Sequence, residues 1–381
     1  MNKTMSIYRF EKLFKWYSGK PVECIGGSIP VYGSNGIIGW TNVKRYNSKI
    51  ILGRVGAYCG SVEYCEGDFN ATDNTLITEC NEDLIIYKYA YYMLKLMHLN
   101  LYAGGSAQPL ITQSLLRHIA CDLPNIDVQN KIADILSHYD DLIEKNNRKI
   151  AILEDQIQEL YKEWFVRFRF PGYEKVKFVN GLPINWEYKR LREMVQYYRG
   201  LSYSSEEIDT DSGVDLVNLN NIISYGGFNK NGTKKYAGKY KETQTLKDSD
   251  LVMGVTDMTQ ERRLVGSVAL VDTKGVKTAF SADLIKLISS VNKLFLYCML
   301  KYGNYSKYIA EFANGANVLH LKPDSVMSVK VLMPSEELIN KFAMYVENYF
   351  NNIKQIKELN DILLKQRDLL LPRLMSGKLK V

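Results

Sequence analysis

The strongest pattern along the chain is a pair of long stripes in which apolar residues recur every three or four positions. The first covers 125–165, where Ile132, Ile135, Tyr139, Leu142, Ile150, Leu153, Ile157, Leu160 and Trp164 share a helical face. The second covers 335–374 and runs through Phe342, Tyr349, Ile356, Leu363 and Leu370, with no glycine or proline before Pro372. Each stripe predicts a helix of roughly forty residues, about 60 Å long at ~1.5 Å per residue. A lone helix with so wide an apolar stripe is unstable in water, so the two are expected to pair as a coiled coil. Asn146, Asn352 and Gln366 lie in or beside the seams, where a polar residue either fixes register or is tolerated at an exposed edge. The remaining text has another rhythm. Residues 24–80 and 190–290 are rich in glycine and asparagine, which separate short β-branched runs such as those at 49–52 and 267–271. Those regions read as irregular and strand-rich, with helices near 84–99 and 294–312.

The pattern occurs twice. Gly105 and Gly315 stand 210 positions apart, and so do Pro124 and Pro334. Between them Ile111 answers Leu321 and Ile119 answers Val329, and the long stripes follow in the same register. Upstream the match persists with gaps: Gly53 answers Gly254, and the Gly60-Ser61-Val62 run answers Gly266-Ser267-Val268. The chain is therefore expected to be α+β, with two copies of one module (1–124 and 187–334), each followed by a long helix (125–165, and 335–381 with a C-terminal tail). The repeat makes an antiparallel pairing of the helices natural. Residues 166–186, with Pro171-Gly172, Gly181 and Pro183, read as a linker.

Composition narrows the picture modestly. Lysine and arginine number 49 against 42 acidic residues, a net +7 that permits a polyanionic partner without demanding one. The 27 tyrosines lean toward nucleic-acid or protein surfaces, since the ring stacks and the hydroxyl bonds phosphates or base edges. Six cysteines without regular spacing read as reduced thiols. The N-terminal residues lack an apolar signal core and no stretch suits a membrane span, so the expectation is a cytoplasmic protein with no membrane partner.

Candidate chemistry is sparse. His98, His118, His138 and His320 lie far apart, with no partner at metal-ligand spacing. The stretch 227–234 superficially resembles a phosphate loop, but its lysine and threonine are in the wrong order, which leaves a basic loop. No methyltransferase or motor motif stands in the chain, and Glu187-Tyr188-Lys189 lacks the upstream acidic partner of a metal-dependent nuclease. The expectation is a protein without catalytic residues and without a metal or cofactor of its own.

Several phrases, in order and duplicated, resemble the specificity subunits of type I restriction-modification systems. They include the 29–36 run IPVYGSNG, Leu52-Gly53-Arg54-Val55-Gly56, Gly104-Gly105-Ser106 and the 160–165 run LYKEWF. Gly181-Leu182-Pro183 and the ending from Asp368 to Gly377 complete the set. The second module departs at Gly254-Val255-Thr256-Asp257, where the first has Gly53-Arg54-Val55-Gly56. The resemblance implies two target recognition domains joined by spacer helices, each domain reading one half of a bipartite double-stranded DNA site. It also implies two modification subunits docked on the helices and bringing S-adenosylmethionine, and a restriction subunit bringing ATP and magnesium. Duplex reading needs basic side chains for phosphates and arginine or amide side chains for base edges. In the first module the candidates are Tyr32, Ser34, Asn35, Lys44, Arg45, Arg54, Tyr58, Asn74 and Gln108. In the second they are Asn218, Asn220, Asn221, Lys230, Lys234, Lys235, Thr256, Arg262, Arg263, Asn317 and His320. Arg54 and the Arg262-Arg263 pair are the foremost candidates for guanine, whose two acceptors suit a bidentate guanidinium. The alternative for each is a solvated loop residue. Two other readings stand beside this one: a non-catalytic helical scaffold whose ends bind protein, and a fragment of an enzyme with its own catalytic domain.

Overall fold

The computed structural model describes residues 5–105, 109–209 and 212–381. They form two compact units, one made of 1–148 with 357–381 and the other of 149–356.

In the first unit, the strand Ser6–Arg9 pairs antiparallel with Ala120–Leu123, so the module's opening text lies against its close. Its six-stranded sheet has the order Phe14–Ser18, Thr75–Cys80, Tyr46–Gly53, Val62–Ala71, Ile29–Gly33, Gly36–Thr41. The helix Tyr87–Leu96 covers the sheet; Tyr89, Ala90, Met93 and Leu94 are buried with Phe10, Leu13, Ile50 and Leu52.

The second unit repeats this plan. Glu187–Arg190 pairs antiparallel with Lys330–Met333, 210 positions beyond the first unit's closing strand. Val195–Arg199, Leu284–Ser289, Leu251–Gly254 and Val268–Leu270 form a sheet in the order of their first-unit counterparts. Lys293–Tyr302 packs where Tyr87–Leu96 does in the first unit. A five-stranded sheet built from 208–280 is added, in the order Ile208–Asp209, Lys234–Tyr236, Val214–Val217, Thr278–Phe280, Thr245–Leu246. The linker is not a loose tether, because Phe170 and Trp186 are buried and their rings stack at 5.5 Å.

Both predicted long helices form, over Ile126–Phe165 and Glu336–Met375. They run antiparallel. In the first unit 126–148 packs with 357–375, where Ile132, Ala133 and Leu136 share a core with Leu371, Leu374 and Met375. In the second, 149–165 packs with 336–356 around Ile157, Tyr161, Trp164, Phe342 and Val346. Phe342 makes edge contacts with Phe165 at 5.0 Å and Trp164 at 5.7 Å. Ile135 and Leu370 pack against the first core, and Ile150, Leu153, Leu160 and Tyr349 against the second, each partly buried. Tyr139 is likewise half-buried, whereas Ile356 and Leu363 are buried.

Leu142 departs from the expectation, being 42% exposed. The stripe passes instead through the half-buried Ile143, one residue and about 100° further round the helix. The polar interruption at Asn146 proves to be a bond across the pair. Its amide donates to Asn360 Oδ1 at 2.7 Å, and the buried Asn360 donates to Asn147 Oδ1 at 3.0 Å. About two turns along, Arg367 ion-pairs with Asp140, which also accepts from Tyr92 Oη at 2.5 Å. No helix of the described residues is long and apolar enough to cross a membrane.

Candidate nucleic-acid interface

Both units build a tip from two loops on one frame. In the first, Gly53 donates its N–H to Ser61 O at 2.9 Å and accepts from Gly60 N at 2.8 Å, closing the loop 54–60. In the second, Gly254 donates to Ser267 O at 2.9 Å and accepts from Gly266 N at 2.8 Å, closing 255–265. Gly60 and Gly266 have φ of +89° and +77°, and a Cβ there would lie 2.3 Å from Asn100 N and 2.6 Å from Ser306 O. Only glycine satisfies both the dihedral and the space. A second loop closes each tip, through paired backbone bonds between Gly104 and Leu110 and between Asn314 and His320. The two loops are braced together by Ile111 N to Arg54 O at 2.9 Å, and by Leu321 N to Val255 O at 2.8 Å. Arg54 and Val255 therefore occupy equivalent places, and the frame carries different side chains in each unit.

The first tip gathers five of the expected residues. Ser34 Oγ donates to Asn74 O at 2.7 Å, and Arg54 N donates to the same carbonyl at 3.0 Å. The Arg54 guanidinium reaches Ser18 Oγ at 3.2 Å, while its buried Nε makes no hydrogen bond. Beside it stand Tyr58, 55% exposed, and the exposed Asn35 and Asn74. Lys44 and Arg45 are exposed elsewhere, Lys44 ion-paired with Asp68 at 3.4 Å and Arg45 donating to Lys20 O at 3.4 Å. Tyr32 is buried edge-on to Phe69, and burial pushes its phenol well above the ordinary value. It packs in a core cluster with Ile51, Cys65 and Phe69. Gln108 lies outside the described residues.

In the second tip Arg262 ion-pairs with Glu311, and Arg263 pairs with Glu261 at 2.6 Å. Gln260 Nε2 donates to Ala316 O at 2.8 Å, tying the first loop to the second, on which Asn317 and His320 are exposed. Thr256 is buried, and its hydroxyl donates to Asp283 at 3.0 Å. Asn218 and Asn221 are buried too. Asn218 Nδ2 donates to Gly232 O and Asn221 Nδ2 to Asn229 O, both at 2.8 Å. These three residues knit the surface from within, and their polar atoms are already engaged. The basic loop that Asn218 and Asn221 support leaves Asn220 and Lys230 exposed. Lys234 lies over the Tyr203 ring at 5.5 Å, and Lys235 pairs with Asp215 at 2.6 Å.

Sequence reasoning passed over Ser18, Asp257, Gln260 and Glu311. A signal for Asp257 was present: Asp followed two positions later by Thr is a turn-forming pattern, in which the carboxylate takes nearby backbone N–H groups. Among the described residues there is no group of histidine, cysteine and acidic side chains that could hold a metal ion.

Residues 12–155 match the family described as Type I restriction modification DNA specificity domain. The chain is 26% identical over 321 residues to the type I restriction enzyme MjaIX specificity subunit of Methanocaldococcus jannaschii, covering 79% of this chain and 71% of that protein. It is 22% identical over 367 residues to the HindI specificity subunit of Haemophilus influenzae, covering 80% of each. Over 114 residues it is 36% identical to the EcoprrI specificity subunit of Escherichia coli, 30% of this chain and 28% of that one. In fold it is similar to the crystal structure of a type I restriction-modification S subunit from M. genitalium, with a TM-score of 0.56 at 18% identity, covering 98% of this chain and 96% of that one. The chain is thus similar to type I restriction-modification specificity subunits over most of its length, its residues 12–155 match their DNA specificity domain, and its fold is that of a solved S subunit.

Proposed function

We propose that each unit reads one half of a bipartite double-stranded DNA target through its two-loop tip, and that the chain performs no catalysis itself. The observation that carries this reading is the shared frame with unlike contents. The same glycine-anchored bonds close a loop bearing Arg54 and Tyr58 in one unit and a loop bearing Gln260, Arg262 and Arg263 in the other. A constant scaffold bearing different donors suits a protein that reads two different short sequences with one architecture. Asn35, Asn220, Lys230, Lys234, Lys235, Asn317 and His320 add contacts to base edges or phosphates; Lys44 and Arg45 add charge. The paired helices set the unread gap and dock two modification subunits. S-adenosylmethionine is held by those subunits, and ATP and magnesium by a restriction subunit. The domain boundaries that go with this reading are 1–124 and 187–334 for recognition, 125–165 and 335–381 for the spacers, and 166–186 for the connection.

The test is a random-duplex selection with the chain co-purified with its modification subunits. Two short motifs at a fixed gap are expected, and Arg54→Ala should relax one of them, by about 1–3 kcal/mol at the affected base pair. Binding that fades with salt and enriches no sequence would remove DNA reading from this chain.

A further inference from the structure

The two tips differ in length as well as content. Gly53 and Gly60 are seven positions apart while Gly254 and Gly266 are twelve, so the second loop carries five extra residues. A loop lengthened in this way needs an internal tie if its side chains are to hold one arrangement. Asp257 supplies it. The residue is 1% exposed, and its carboxylate accepts four hydrogen bonds, all from neutral donors. Oδ1 takes Thr259 N and Thr259 Oγ1, both at 2.9 Å, and Oδ2 takes Leu264 N at 2.7 Å and Val265 N at 3.3 Å. Thr259 stands at the loop's entrance, Leu264 and Val265 at its exit, so a single carboxylate staples the two ends. Burial alone would raise its pKa, yet the donated bonds from Leu264 and Thr259 outweigh burial and hold it below the ordinary carboxylate value. The first unit has Gly56 at this place, whose N–H instead donates to Pro109 O at 3.0 Å. Beyond the staple Gln260 and Arg263 are exposed, Gln260 bonded to Ala316 O and Arg263 paired with Glu261, and Arg262 is aimed at Glu311.

We propose that Asp257 is the positioning residue of the second unit's base-reading loop, and that Gln260, Arg262 and Arg263 are the specificity-determining residues it holds in place. This rests on the DNA-reading function proposed above. Asp257→Asn is the sharpest probe. Its Oδ1 can still accept from Thr259, but its NH2 group would face the N–H groups of Leu264 and Val265, donor against donor.

Wild type, Asp257→Asn, and a double Arg262→Ala/Arg263→Ala variant should be compared by random-duplex selection, each as the full chain with its modification subunits. Wild type is expected to enrich two motifs. Both variants should lose about tenfold in base preference at the same positions of one motif, leaving its other positions, the second motif and the gap unchanged. Thermal unfolding is followed in parallel. If Asp257→Asn keeps wild-type preference everywhere, the inference is overturned while DNA reading stands. If it erases one motif uniformly and also lowers that unit's unfolding temperature, Asp257 is structural only and the inference again fails. If wild type enriches no motif, DNA reading itself fails and takes the inference with it.

Discussion

At the scale of single residues, the tips separate side chains that build a surface from those that stand on it. Asn218, Asn221 and Thr256 are of the types that read bases, and the chain text alone does not distinguish them from Asn220, Asn317 or Arg263. Burial decides it, and burial depends on which backbone carbonyl lies opposite, a property of the folded loop that leaves no spacing in the sequence. The place of Arg54 in the loop was legible for a different reason, since it sits in the duplicated text beside Gly53, where the frame had to recur. Two aspartates of the second unit carry a pH consequence. Asp257 is held low against burial by its four donors, and Asp248, also burdened by burial, by Lys354 at 2.6 Å. A carboxylate depressed in the folded state stabilises the protein fully above its unfolded pKa, near 3.8, and that stabilisation drains away as pH falls through the lower folded value. The second unit's denaturant midpoint should therefore drop as pH falls below about 3.8, and Asp248→Asn should flatten that acid limb. A midpoint equally steep in the variant would assign the acid sensitivity to other carboxylates.

At the scale of elements, the helices were the most legible part of the fold because periodicity survives without knowledge of the partner. Their ends fell within one residue of the expected positions. The exact seam was less legible, since a stripe repeating every three or four residues drifts around a straight helix, and Leu142 and Ile143 compete for the same place. The difference is measurable. Phe342→Ala removes a fully buried ring that touches Tyr161, Trp164, Phe165 and Phe295, and should cost about 3–5 kcal/mol in denaturant unfolding. Leu142→Ala should stay within about 0.5 kcal/mol, as for an ordinary surface change. Comparable losses for both would mean that Leu142 is covered in the protein as measured. The asparagine bonds act otherwise. Replacing Asn360 by alanine leaves Asn146 and Asn147 without their partner, and should cost on the order of 1–2 kcal/mol by the same unfolding measurement.

At the scale of the whole molecule, the duplication was visible as a constant offset of 210 positions, and it returns as a shared plan of strands, covering helix and two-loop tip. What the offset did not reveal is the composition of the first unit. That unit takes 357–381 from the far end of the chain, and Leu371, Leu374 and Met375 fill its core beside Ile132 and Leu136. Sequence patterns mark which face of a helix is apolar and do not say which domain core it joins. Truncation after Ile356 should accordingly abolish the first unit's cooperative unfolding and raise binding of an apolar dye, while the second unit keeps its transition. A truncated chain that retains both transitions would show that the first unit holds together without its distant segment.

That discontinuous core also sets the order in which a nascent chain can finish its parts. The ribosome delivers the first unit's strands early, but the side chains that seal them arrive some two hundred residues later. The second unit is contiguous and can close as soon as Ile356 has emerged. Of the two units, the one begun first is thus the last to be completed, and in the interval Ile132, Ala133 and Leu136 stand open to water or to a chaperone.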